Sequence, residues 1–289
     1  MEGPPEPINR VLENQNLMKK MIIAALTALF IASCSRPYVV VQIADAQLGF
    51  TASDKCNKEG RPYDDDVTYE IECLTKAVAM INEIKPDVVV FTGDQVHHAT
   101  NQLEWTAFLD AISGISKDVK IFHVPGNHDV LISENSVDSS PFEQHFGAST
   151  FLHREKSVKL VGINSNLIKY NDSKEAEQME WLESNLPKKS KEVTLIFGHH
   201  PFFLQNIDEG EGYFQVQKDK RKIYFDLFKA NGVDAVYTGH LHNNAESEYD
   251  GIPAKTATSV AYQIGNAQPS IRVITVDDGV VSDELVPIS

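Results

Sequence analysis

The stretch KIFHVPGNHD, residues 120–129, joins a short apolar run directly to a cluster of polar side chains. The β-branched and aromatic content of residues 120–124 favours a strand. The tetrapeptide Gly-Asn-His-Asp at 126–129 follows it, and an accidental copy is expected in roughly one chain of this length per thousand. The stretch therefore predicts a strand whose carboxyl end carries functional side chains.

The rest of the chain alternates short apolar runs, rich in Val and Ile, with longer segments of helical period. The candidate strands are 38–44, 88–92, 120–124, 158–164, 193–197, 235–238, 254–258 and 271–276. The candidate helices are 67–84, 102–113, 174–186 and 217–230. This alternation is typical of a layered α/β domain. Residues 53–66, rich in Asp, Tyr, Pro and Gly, are interpreted as a long surface loop.

Polar side chains follow five of the predicted strands at the point where each strand ends. The clusters are Asp45-Ala46-Gln47, Gly93-Asp94, Gly126-Asn127-His128-Asp129, Gly198-His199-His200 and Gly239-His240-Leu241-His242. Loops beyond the carboxyl ends of strands in an α/β sheet converge on one crevice. We therefore expect these clusters to form one site, although they lie far apart along the chain.

Histidine is concentrated at these strand ends, which hold seven of the ten histidines: 97, 98, 128, 199, 200, 240 and 242. Carboxylate, imidazole and amide groups together suit divalent Mn, Fe or Zn, and the small number of thiols argues against a structural zinc site. Two ions roughly 3.5–4 Å apart share a hydroxide, lower its pKa and clamp phosphoryl oxygens. The clusters therefore predict hydrolysis of a phosphate ester without a covalent intermediate.

The ordered motifs Asp-x-Gln, Gly-Asp-x-x-His, Gly-Asn-His-Asp, Gly-His-His and Gly-His-Leu-His resemble the motif series of the calcineurin-like metallophosphoesterase superfamily. They extend from Asp45 to His242 and so cover most of the chain. The resemblance implies an α/β fold of four layers, αββα, in which two mixed β-sheets pack face to face and helices flank them.

The resemblance also implies roles for individual residues. One metal ion is expected on Asp45, Gln47, Asp94 and His242. The other is expected on Asp94, Asn127, His199 and His240, with Asp94 bridging the two. His128 is expected to bind the phosphate and protonate the leaving oxygen as the general acid. Asp129 is expected to be structural, and His97 and His200 to assist the ligands or to face the substrate.

Two positions depart from the pattern of the superfamily. Most members have His where this chain has Gln47, so one metal site gains an amide oxygen and is expected to be weaker or to prefer a harder ion. At His97, purple acid phosphatases have a tyrosine ligand, and the large serine/threonine phosphatases have an Asp followed by Arg. We therefore expect neither a tyrosinate-to-iron colour nor that arginine contact with phosphate.

The motifs around Gln47 and His97, together with the acidic and aromatic segment 206–214, are similar to a subgroup that contains a eukaryotic protein phosphatase and bacterial relatives. This implies phosphoserine or phosphothreonine monoesters as substrates, beside small phosphorylated metabolites. The alternative is a phosphodiesterase or nucleotide pyrophosphatase with the same metals. A third interpretation, from another class, is a surface-anchored binding protein without turnover, which Gln47 favours.

Charge excludes one class of partner. The chain has 26 basic and 41 acidic residues and a net charge of −15. Such a surface repels the phosphate backbone of DNA and RNA, so nucleic acid is not an expected partner. A small anionic substrate is still compatible, because bound metal ions reverse the field locally. Nothing in the composition predicts an oligomeric state.

The N-terminal segment resembles a bacterial lipoprotein signal. Lys19 and Lys20 precede the apolar run 21–32, and small residues lead directly to Cys34. We expect residues 18–34 to be this signal and Cys34 to carry a lipid anchor in the bacterial cell envelope, with no other membrane contact. Residues 1–17 are then a non-native or untranslated leader before a start at Met18, and 35–289 are the catalytic domain. The alternative is a short buried helix that ends at an ordinary cysteine.

Two further cysteines, Cys56 and Cys73, match no zinc motif. A disulfide between them is compatible with an oxidising compartment. The simpler interpretation is a loop thiol at Cys56 and a thiol on a helix face at Cys73.

Overall fold

The computed structural model describes residues 36–186 and 191–288. The leader 1–17, the signal segment 18–34 and the anchor at Cys34 lie outside the described residues, so these assignments stay predictions. Within the described ranges, no helix combines the length and the apolar character needed to cross a membrane.

The strands and helices alternate along much of the chain. The strands are Tyr38–Ile43 (β1), Val88–Thr92 (β2), Lys120–Val124 (β3), Leu131–Ser133 (β4), Ser136–Asp138 (β5), Phe151–Glu155 (β6), Val158–Gly162 (β7), Val193–Phe197 (β8), Ala235–Thr238 (β9), Ala245–Tyr249 (β10), Ile252–Thr256 (β11), Ser270–Asp277 (β12) and Val280–Pro287 (β13). The helices are Phe50–Glu59 (α1), Thr68–Ile84 (α2), Gln102–Ile112 (α3), Ser140–Phe146 (α4), Ser165–Lys169 (α5), Glu175–Asn185 (α6) and Lys218–Ala230 (α7).

Two mixed sheets form the centre of the fold. The five-stranded sheet has the order β13-β12-β1-β2-β3, in which β1, β2 and β3 are parallel and β12 runs antiparallel to both of its neighbours. The six-stranded sheet has the order β10-β11-β9-β8-β7-β6, with a parallel centre and an antiparallel strand at each edge. The hairpin β4-β5 pairs separately.

Three apolar clusters show how these sheets are layered. Alternate residues of the strands, such as Val40 and Leu195, form one cluster between the two sheets. The opposite face of the five-stranded sheet packs on α2 and α3, through residues such as Leu74 and Trp105. The opposite face of the six-stranded sheet packs on α6 and α7, through residues such as Phe225. The four-layer αββα arrangement predicted above is therefore confirmed.

The prediction of a loop at 53–66 is wrong in its first half, because α1 continues to Glu59. Glycines in the left-handed conformation flank this helix, Gly49 with φ 98° and Gly60 with φ 65°. The helix buries only Ala52 and Cys56, so its polar composition concealed it. Cys56 is thus a buried helix residue, not a loop thiol. Cys56 and Cys73 are both free, so they form no disulfide.

Candidate metal centre

The turns that follow the strands hold their residues in an uncommon backbone conformation. Asp45, Gln47, Asp94, His240 and His242 all have positive φ, between 40° and 73°. This conformation costs an L-residue of order 1–3 kcal/mol and is concentrated at functional sites. Backbone hydrogen bonds between neighbouring turns hold it, such as the 2.7 Å bond from the N–H of Gln47 to the carbonyl of Asp94. The side chains consequently point into one space at the carboxyl ends of the strands.

Two glycines allow these side chains to approach the backbone closely. A Cβ atom on Gly93 would overlap Nδ1 of His199, and a Cβ atom on Gly126 would overlap both Oδ1 and the backbone nitrogen of Asp94. Any larger residue would therefore displace a side chain of the site.

Three side chains surround Nε2 of His199. This atom lies 3.1 Å from Oδ1 of Asn127, 3.1 Å from Nδ1 of His240 and 3.3 Å from Oδ2 of Asp94. On the other side of the ring, Nδ1 of His199 lies 2.9 Å from the carbonyl oxygen of Thr92. Donation to this carbonyl leaves the lone pair of Nε2 directed at the cluster, as in metal-binding histidines.

A second group lies next to the first and shares Asp94. Nε2 of His242 lies 3.7 Å from Oδ1 of Asp45, and Nδ1 of His242 lies 2.7 Å from the carbonyl oxygen of Tyr262. The backbone N–H of His240 donates to both carboxylate oxygens of Asp45. Oε1 of Gln47 is buried and accepts no hydrogen bond from any described residue.

The electrostatics of both groups fit divalent cations. Burial raises the pKa of Asp45 well above its ordinary value, because a buried carboxylate without a cation is costly. Burial also lowers the pKa values of His240 and His242, so these rings are neutral at pH 7 and keep a lone pair. For His199, burial opposes protonation, but the carboxylates of Asp94 and Asp45 raise the pKa to about 9. Without metal, a proton on His199 therefore offsets part of the negative charge of these two carboxylates.

Candidate ligand atoms are close enough for coordination. Asp45, Asp94 and His199 each offer an atom within 4.8 Å of the other two, as do His199, His200 and His240. The unpaired oxygen of Gln47 adds an acceptor that suits a cation. The structure thus brings together all seven ligands expected from the sequence.

His128 lies beside these groups. Its backbone N–H donates to Oδ1 of Asp94 at 2.8 Å, and its Nδ1 lies 2.9 Å from the carbonyl oxygen of His97. The rings of His97 and His128 stack with centroids 4.7 Å apart. Since Nδ1 is engaged by the backbone, Nε2 is the atom available to a substrate. Asp129 is fully buried and accepts from the backbone N–H groups of 95, 96 and 126, which supports its structural assignment.

His200 is fully buried behind the candidate ligands. Its Nδ1 lies 3.1 Å from Oγ of Ser165, and its ring centroid lies 4.5 Å from that of His240. The hydroxyl of Ser165 also accepts from the backbone N–H groups of His199 and His200, so it holds this turn in place.

The sequence model described as calcineurin-like phosphoesterase matches residues 38–244. The chain belongs to the calcineurin-like phosphoesterase family.

Relatives of this phosphoesterase include phosphatases and phosphodiesterases. Serine/threonine-protein phosphatase CPPED1 of Danio rerio is 29% identical over 84% of this chain and 82% of its own length. The probable glycerophosphodiester phosphodiesterase GpdQ of Arcobacter nitrofigilis is 26% identical over 78% of this chain and 80% of its own length. The solved structure of purple acid phosphatase PPD1 from yellow lupin matches with a TM-score of 0.63 at 15% identity, over 87% of this chain and 52% of that chain. This chain is therefore a phosphoesterase hydrolase with the fold of metallophosphatases.

The mouth of this phosphoesterase site is a narrow, aromatic cleft. It encloses about 70 Å³, and its lining residues are Gln47, Phe50, Asp94, His128, Tyr213, Phe214, His240, His242 and Ile264. The ring centroids of Tyr213 and Phe214 lie 5.3 and 5.6 Å from that of His240. The ring centroid of Phe50 lies 5.4 Å from that of His242.

Two buried basic side chains hold the loop that carries Tyr213 and Phe214. The guanidinium of Arg221 on α7 donates to the carbonyl oxygens of 207, 209, 210 and 216. The ammonium of Lys169 on α5 donates to the carbonyl oxygens of 212 and 215 at 2.9 and 2.6 Å. The loop is therefore a preorganised wall of the cleft.

The sequence analysis missed several functional contacts. The carbonyl groups of Thr92 and Tyr262 orient two histidines, but any residue type offers a backbone carbonyl. Phe50 and Ile264 carry no motif signal. Only the similarity of segment 206–214 to a subgroup of the family indicated that Tyr213 and Phe214 were of interest.

Proposed function

We propose that this phosphoesterase hydrolyses phosphate monoesters, with phosphoserine and phosphothreonine side chains of proteins as its substrates. One observation carries the proposal. Nε2 of His199 lies within 3.3 Å of ligand atoms from Asp94, Asn127 and His240, and Asp94 also accepts the backbone N–H of His128. The candidate ligand cluster and the backbone of the candidate proton donor thus share one carboxylate.

The donor set fits two divalent ions. Asp45, Gln47, Asp94 and His242 would hold one, and Asp94, Asn127, His199 and His240 would hold the other. Oxygen and imidazole donors suit Mn, Fe and Zn. When bound, the two ions would supply a water molecule of lowered pKa for in-line attack and would neutralise the phosphoryl oxygens.

His128 provides the acid. The carbonyl oxygen of His97 accepts from Nδ1–H, so Nε2 is the atom that faces the leaving group. In the doubly protonated ring, Nε2–H gives its proton to the departing oxygen and the ring becomes neutral. Asp94 is the second catalytic group, because it would contribute a ligand to both ions and it accepts the backbone N–H of His128.

The substrate assignment is supported by the relative in Danio rerio that is named a serine/threonine-protein phosphatase. The aromatic walls at Phe50, Tyr213 and Phe214 suit an uncharged group next to the phosphate. Small phosphorylated metabolites remain within the same substrate class. A diesterase is the second candidate, since the relative in Arcobacter nitrofigilis carries a phosphodiesterase name.

The test uses the full chain, stripped of metal by a chelator and reloaded with Mn, Fe or Zn. Turnover of para-nitrophenyl phosphate and a phosphoserine peptide is compared with turnover of the bis(para-nitrophenyl) ester. Metal-dependent monoester turnover that Asp94→Asn abolishes would support the proposal. A strong preference for the diester would support the second candidate instead. Binding of two ions without turnover of any ester would overturn the proposal.

A further inference from the structure

His97 contacts two different parts of the site. Its ring Nδ1 lies 3.3 Å from Nε2 of Gln47. Its backbone carbonyl oxygen lies 2.9 Å from Nδ1 of His128, and the two rings stack. One residue therefore lies between a candidate metal ligand and the candidate acid.

The contact with Gln47 fixes the direction of its amide group. An amide has a donor end and an acceptor end, and only the oxygen binds a cation. When Nδ1 of His97 accepts from Nε2, Oε1 of Gln47 points away from His97. That oxygen is buried and has no hydrogen-bond partner among the described residues. The amide oxygen is thus directed to the place where a cation would be held.

We propose that His97 is a positioning residue that sets the amide orientation of Gln47 for metal binding. This inference rests on the proposed two-metal function. A glutamine that rotates by half a turn presents its NH₂ group to the ion, whereas a histidine ligand has no amide group to orient. This pairing of His97 with Gln47 compensates for the absence of histidine at position 47.

The backbone of His97 is held independently of its ring. The carboxylate of Glu104 on α3 is fully buried, and its Oε2 accepts from the N–H groups of His97 and His98 at 2.9 and 2.6 Å. Its Oε1 accepts from the hydroxyl of Tyr63 at 2.8 Å. Changing the ring of His97 therefore leaves its carbonyl in place for His128. The two contacts of His97 are separable by mutation.

The experiment measures metal binding without turnover. The metal-free full chain is titrated with Mn²⁺ by calorimetry for wild type, His97→Phe, Gln47→His and the double variant. Phe keeps a flat ring against Phe50 and His128 and removes only the acceptor. We expect His97→Phe to weaken one of the two sites by about 10–100-fold, the usual effect of losing a partner that orients a ligand. The other site should keep its affinity.

The double variant separates positioning from general damage. In the Gln47→His background, the further change His97→Phe should leave both affinities unchanged. Equal weakening by His97→Phe in the wild-type and Gln47→His backgrounds, or no weakening in either, would overturn the pairing. His153→Phe, on β6, is the matched control and should match wild type. Failure of wild type to bind two ions would overturn the proposed function as well as the pairing, whereas normal wild-type binding beside an unaffected His97→Phe overturns the pairing alone.

Discussion

The backbone N–H of His128 donates a 2.8 Å hydrogen bond to Oδ1 of Asp94, whose other oxygen lies 3.3 Å from Nε2 of His199. One carboxylate therefore connects the acid loop to the ligand cluster. Any change that displaces Asp94 should affect metal binding and proton transfer together.

Gly126→Ala tests this connection without altering a functional side chain. The new Cβ would overlap Oδ1 and the backbone nitrogen of Asp94, so the carboxylate or the turn must move. We expect a loss of about 1–3 kcal/mol in the free energy of unfolding, measured in urea. We also expect a fall in kcat of about 100-fold or more, because small misplacements of reacting groups are costly. Gly114→Ala is the control and should retain activity, because the added Cβ meets a methyl group of Val78 at 3.3 Å and the carbonyl oxygen of Ala111 at 3.5 Å.

His128→Asn should show whether His128 is the general acid, because the loss of activity should depend on the leaving group. A serine alkoxide needs a proton as it departs, whereas para-nitrophenolate leaves readily without one. We expect kcat on a phosphoserine peptide to fall by about 100–10,000-fold, and kcat on para-nitrophenyl phosphate to fall much less. Calorimetry should show unchanged Mn²⁺ binding. An equal loss on both substrates would contradict the acid role.

Arg221→Met should loosen the wall of the cleft. The change leaves the carbonyl groups of 207, 209, 210 and 216 without their buried donor. We expect about 3 kcal/mol of destabilisation, faster proteolysis within 204–216, and a higher KM. Lys222→Met is the control, because its ion pair with Asp226 is exposed and contributes little. Equal protease resistance of both variants would argue against the anchoring role.

The fold should lose stability in mild acid, because the buried ring of His123 resists protonation. This ring stacks between Phe91 and Phe146, with centroid distances of 4.8 and 3.8 Å, and burial lowers its pKa from 6.5 to about 3. Between these values the unfolded chain binds a proton that the folded chain does not. Stability therefore falls as pH drops from 6.5 toward 3, by at most about 1.4 kcal/mol per pH unit. Urea unfolding at pH 7.5 and 5 should show a smaller decrease for His123→Phe than for wild type.

We propose that Cys34 carries a lipid anchor when the gene is expressed in a bacterium. The proposal is supported by the two lysines, the apolar run and the small residues that precede this cysteine. Labelled palmitate should enter the wild-type protein and not Cys34→Ala, and only the wild type should partition into detergent. Labelling of the variant at the wild-type level would exclude this site.

Much of the site was predictable because its chemistry follows strand ends. Residues such as Asp45, Asn127 and His240 come shortly after apolar runs, and the parallel strands bring those ends together. The four helices predicted at 67–84, 102–113, 174–186 and 217–230 agree with the structure to within one residue at each end. These segments have long periodic patterns, which single sequences report well.

The parts of the fold and the site that were not predicted depend on contacts that composition does not encode. Helix α1 buries only two small residues, Ala52 and Cys56, so few apolar positions mark it in the sequence. Strand β6 exposes alternate residues at the edge of its sheet, and its residue types offer little reason to prefer a strand there. The role of Glu104 arises only after folding, when a helix residue meets the backbone of 97 and 98.

The candidate ligands come from both sheets. Asp45, Asp94 and Asn127 follow strands of the five-stranded sheet, whereas His199, His240 and His242 follow strands of the six-stranded sheet. A pair of ions held by these residues would join the two sheets at one end of their shared core. At a free metal concentration one hundred times the Kd, this linkage adds about 2.7 kcal/mol for each ion. A cell starved of the metal would then lose the folded protein to proteolysis as well as its catalytic activity.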